Sequence, residues 1–132
     1  YDRALSSVMH FSKAEWKSSD NDDERRAGFE RDLEVWLERP LRDHNLLAHR
    51  RRQVEFVRDL RGKVAIDHIL RFDEVGNDFC NLSHRLGRIG VEIDRVGDSG
   101  RRRTYSDFYT KNAKALVERY FAEDLDAFGF EF

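Results

Sequence analysis

The sequence predicts an α/β protein, mostly helical with few strands, and three observations predict it. Apolar residues recur at helical spacing in several separate segments. One segment, VAIDHILRF at 64–72, is instead β-branched and almost continuously apolar, the mark of a strand buried on both faces. With 132 residues, 39% of them hydrophobic, the chain is long enough for one folded unit around a real core and too apolar to stay disordered.

The elements follow in order. From Asp2 to about Lys17, Ala4, Leu5, Val8, Met9, Phe11 and Trp16 share one face, which predicts a helix. SSDNDDE then combines turn formers with acids, a solvated loop leading to a helix start favoured by negative charge. Phe29, Leu33, Trp36 and Leu37 predict the helix that follows, and Pro40, the only proline, closes it. The stretch DHNLLAHRRRQVEFVRDL suits a helix pair or a short irregular segment, with the helical reading preferred. Gly62 breaks the pattern before the expected strand. Val75, Phe79, Leu82 and Leu86 return to helical spacing, with Gly87 in a C-cap position. Residues 88–104 hold three of the eight glycines and no sustained period, which predicts a long loop. Thr110 caps a last helix with the face Ala113, Leu116, Val117, Tyr120, Phe121, Leu125 and Phe128, and Gly129 ends it.

A net charge of −2 offers no global field for nucleic acid or acidic membranes, so anion binding has to come from local arginines. Nineteen arginines stand against five lysines, a bias that suits bidentate phosphate contact and that coding composition produces equally. The arginines gather in HRRRQ at 49–53, in LRF at the end of the expected strand and in SGRRRTY at 99–105. The last sits in a glycine-containing loop, where backbone N–H groups and guanidinium forks close together on a phosphate. HRRRQ reads as a solvated helical face. His44, His49, His68 and His84 lack the spacing of a metal site, so none is expected. Cys80 reads as a small core residue and excludes an intrachain disulfide. No apolar run approaches membrane-spanning length. The donor-rich front, YDRALSSVMHF, has the character of an anion site at a helix start.

Taken in order, these segments resemble the C-terminal half of sulfotransferases that use 3′-phosphoadenosine-5′-phosphosulfate (PAPS), in particular the carbohydrate and bacterial branch. YDRALSSVMHF is similar to the latter part of that family's R-[ND]-P-[YF]-x-R-x-x-S-x-[YF] segment, which holds the 3′-phosphate. VAIDHILRFDEVGNDFCNLSHRLG resembles the family's strand ending in R-[FY]-E-x-[LV] and its next helix, with Asp73 where glutamate is usual. GDSGRRRTYSDFYT looks like the late phosphate-binding loop, and ALVERYFAEDLDAFGFEF like the closing helix with its D-x-x-x-F-G-[YF] ending.

The resemblance implies a P-loop nucleotide-kinase-like fold of which residues 1–132 form the C-terminal part, as a single domain or fragment; a first residue Tyr1 rather than methionine agrees with a piece of something longer. It implies sulfuryl transfer from PAPS to an acceptor hydroxyl or amine, on a small molecule or carbohydrate, leaving adenosine 3′,5′-bisphosphate (PAP). Ser6 and Arg3, with Arg101, Arg102 and Arg103, are then expected to bind the cofactor. No catalytic base is assigned, and no glycine-rich P-loop is present in these residues, so a further N-terminal half or another chain is expected to complete the sheet. The implied compartment is the cytoplasm for a bacterial protein or the Golgi lumen for a eukaryotic one. The competing class is a non-enzymatic helical interaction module without the P-loop half.

Overall fold

Leu5, Val8 and Ala4 form one stripe of helix α1, Asp2–Phe11, and that stripe is almost wholly buried. In the computed structural model the described residues are 1–12, 15–38, 48–93 and 103–132. Contacts divide the chain into two compact units, one of residues 1–57 with 102–132 and the other of 58–101.

In the first unit α1 packs on α2, Asp22–Glu38, and α2 packs in turn on α5, Lys111–Tyr120, and on the 3₁₀ turns Glu15–Ser18 and Tyr105–Phe108. The short helices α3, Val54–Val57, and α6, Ala122–Phe128, pair with each other. Leu5, Phe29, Leu33 and Val54 are completely buried, each stabilising the fold by about 1.5–3 kcal/mol through removal from water. Trp16, Phe29, Phe108 and Tyr109 interlock in the same core cluster as Leu5 and Leu33, Phe29 meeting Tyr109 edge-on at 4.8 Å between ring centres. The acid-rich entry to α2 is ordered by Asn21, whose Oδ1 accepts the N–H groups of Asp23 and Glu24 at 3.0 and 3.2 Å.

Two expected helices are shorter than their apolar faces suggest. The first was expected to reach about Lys17 but ends at Phe11, with Ser12 extended. There the Lys17 ammonium donates to the Met9 and Ser12 carbonyls, satisfying the open helix end, while the Ser12 hydroxyl and Trp16 indole N–H both donate to Asp32. The last helix, expected to run unbroken from Thr110 to Gly129, breaks at Phe121 into α5 and α6. The break brings Asp124 to the start of α3 and lays Phe121 against Trp36. Its ends match expectation: Thr110 Oγ1 accepts from Ala113 N at 3.0 Å, and Gly129 takes the left-handed conformation at φ 62°.

In the second unit α4, Val75–Arg85, closes in the expected way. Gly87 sits at φ 71°, its N–H on the His84 carbonyl, and Arg88 N–H reaches the Ser83 carbonyl at 2.8 Å. The expected strand at 64–72 is overturned: the described residues contain no strand, only an isolated bridge between Arg58 and Val64. Val64, Ile66 and Ile69 stand 42–53% exposed. A strand needs a neighbour for its N–H and C=O groups, and among the described residues the pairing at 64–72 stops at that one bridge. Cys80, expected in the core, is exposed on α4. Pro40, His44, Leu46, Leu47 and most of the 88–104 loop lie outside the described residues.

Candidate functional site

Helix α1 carries the two front residues of the expected phosphate site one turn apart. Ser6 is exposed, whereas its neighbour Ser7 is turned into the core at 3% exposure. Arg3 is half-buried and already engaged: its Nη2 donates to the Ala48 and Arg51 carbonyls, both at 3.1 Å, and its Nη1 is buried without a partner among the described residues. Burial pulls the pKa of this guanidinium down, and the nearby Asp124 charge pulls it back. Arg3 therefore braces the 48–51 turn.

Of the late arginine run, Arg101 and Arg102 lie outside the described residues. Arg103 pairs with Asp22 at the start of α2, Nη1 to Oδ1 at 3.0 Å. Immediately after it, Thr104 and Asp107 form a reciprocal capping box that starts the Tyr105–Phe108 turn. That turn returns to the front of α1. Tyr105 stacks on Tyr1 at 6.3 Å, and the Tyr109 hydroxyl donates to the Tyr1 carbonyl at 2.9 Å. The structure thus brings the segment next to Arg103 onto α1, while Arg103 itself is engaged by Asp22 and Arg3 by the 48–51 turn.

Sequence reasoning missed the partner that organises this corner. Arg25, 1% exposed, donates to the Asp22 carboxylate and to the Ser19 carbonyl at 2.7 Å, with its guanidinium over the Phe108 ring at 5.7 Å. Two guanidiniums therefore share Asp22 Oδ1, and they hold its carboxyl below the usual carboxylate range, Arg25 contributing most. The signal was the i,i+3 spacing of Asp22 and Arg25 at a helix start.

The HRRRQ run was expected to face water and does so only in part. Arg50 is 5% exposed and donates to the Trp36 and Leu37 carbonyls at 2.9 and 2.7 Å, capping the end of α2. Arg52 reaches Glu123 at 2.7 Å, and Arg51 pairs with Glu55 at 2.8 Å. Carbonyls at helix ends carry partial negative charge, so guanidiniums serve them as they would serve a phosphate.

An open groove of about 550 Å³ runs between α2 and the start of α5, lined by Arg26, Glu30, Arg31, Tyr109 and Lys111 among others. None of Arg3, Ser6 or Arg103 lines it. Glu30 is occupied there by the Thr110 hydroxyl and by Asn112 Nδ2 at 3.2 Å. Among the described residues no three side chains cluster as metal ligands, and no helix is long and apolar enough to cross a membrane. No family model, curated protein or solved structure matches the chain.

Proposed function

We propose that this chain carries the 3′-phosphate-binding side of a PAPS-dependent sulfotransferase acting on a hydroxyl or amine of a small molecule or carbohydrate. One observation supports the reading: the turn after the arginine run packs on the residue that precedes α1, through Tyr105 and Tyr109 on Tyr1, so the two segments that the reading assigns to the phosphate lie near each other. The exposed Ser6 hydroxyl agrees with it, since a group meant for a ligand has to be left open. PAPS supplies the sulfuryl group; the chain's own part is binding. Ser6 donates a hydrogen bond to the phosphate, and Arg103, with Arg101 and Arg102, adds charge-assisted contacts, roughly twice as strong as neutral ones. The reading assigns the cradle for the 5′-phosphosulfate and the catalytic base to a segment ahead of Tyr1 or to another chain.

Calorimetry with PAP tests this. Binding should be measurable, and Ser6→Ala should weaken it about tenfold to a hundredfold, the loss of one hydrogen bond to a charged group. Because Ser6 is exposed, thermal stability should not move. A flat titration on folded protein overturns the reading.

A second reading, a non-enzymatic helical interaction module, is favoured by the apolar side chains that 58–93 leaves open: Leu60, Phe72, Leu86 and Ile89 are each more than 60% exposed. The flat titration is the result it requires.

A further inference from the structure

We propose that Asp22 is an internal competitor for the nucleotide phosphate, holding Arg103 in the free protein and yielding it on binding; this rests on the sulfotransferase reading above. The geometry makes the Arg103 arm the replaceable one. Asp22 keeps Arg25, whose buried guanidinium is fixed by the Ser19 carbonyl and the Phe108 ring, so the departure of Arg103 strands no buried charge. Arg103 and Asp22 are themselves open to water, at 42% and 56% side-chain exposure, and meet through one short contact. An exposed pair of this kind changes an equilibrium by about fivefold at most. A phosphate that takes a guanidinium by its fork makes two charge-assisted bonds where Asp22 makes one, and so displaces it. Arg25 first and Arg103 after it hold the Asp22 carboxyl below the usual carboxylate range, so the competitor is charged at neutral pH.

The test is PAP affinity of Asp22→Asn, alone and combined with Arg103→Ala. The single substitution should tighten binding about two- to fivefold, and the gain should vanish when Arg103 is absent. In the wild-type chain, the nucleotide should move the Arg103 Nε–Hε resonance and leave that of Arg25 in place, a readout that does not depend on the variant folding. If Ser6→Ala weakens binding while Asp22→Asn leaves it unchanged, the competitor is overturned and the sulfotransferase reading stands. If PAP does not bind at all, that reading fails and inorganic phosphate decides the competitor: Arg103 must respond at lower phosphate in Asp22→Asn than in wild type, and an equal response overturns it.

Discussion

Replacing Asp124 with alanine should cost more stability than any comparable change on the outer faces of the helices. Asp124 is 3% exposed, and its two oxygens accept the backbone N–H groups of Gln53 and Val54 at 2.8 and 2.9 Å. It thereby caps α3 from a distant part of the chain, doing for that helix what an N-cap side chain does locally. Truncation removes two charge-assisted hydrogen bonds and leaves two N–H groups unpaired, the Val54 one fully enclosed. At about 1–3 kcal/mol for each orphaned donor, the loss is about 3–4 kcal/mol. In a chain of this length that lowers Tm by about 12 °C. Asp124→Asn keeps one acceptor and should lose about half as much. Urea unfolding should show a lower midpoint with an unchanged m-value, and hydrogen exchange should report faster exchange at Gln53 and Val54 specifically. A loss below about 1 kcal/mol, or a Val54 amide still protected as in wild type, would refute the reasoning.

Two more outcomes are expected. Gly28→Ala should destabilise by about 1–2 kcal/mol in urea unfolding: helix propensity favours alanine by about 1 kcal/mol, but a Cβ there would lie 2.5 Å from Trp16 Cγ, an overlap costing about 2–3 kcal/mol. Trp16 cannot step aside, being 3% exposed and tied to Asp32 at 2.6 Å, so a stabilised variant would contradict this packing. The Tyr1 phenol is pushed up to about 12 by burial first and then by the Glu118 carboxylate, to which it donates at 3.2 Å. Its folded pKa lies above the unfolded value near 10, so its contribution is complete below about pH 10 and is lost as pH rises towards 12. Alkaline titration followed by near-ultraviolet absorbance should show one late phenol that Tyr1→Phe removes; a Tyr1 phenol ionising near 10 would contradict the contact.

What the sequence determined by itself was local. The faces of α1, α2 and α5, the helical period of α4, the Thr110 cap and the turns at Gly87 and Gly129 were legible because helix period, capping oxygens and positive φ are set by residues within a few positions of one another. Ser6 and the arginine run were visible as candidate residue types, but their partners were not. Only the tertiary structure decided that Ser7 and not Ser6 turns inward, that Arg50 caps α2, that Asp124 caps α3, and that Asp22 stands between Arg25 and Arg103. An arginine carries the same forked donors whether it meets a phosphate, a carboxylate or a helix-end carbonyl, and the choice depends on what distant segments bring within reach. The 64–72 segment shows the same limit for the backbone. Its β-branched run states a preference for burial between strands, but a strand exists only where a second one supplies its hydrogen bonds.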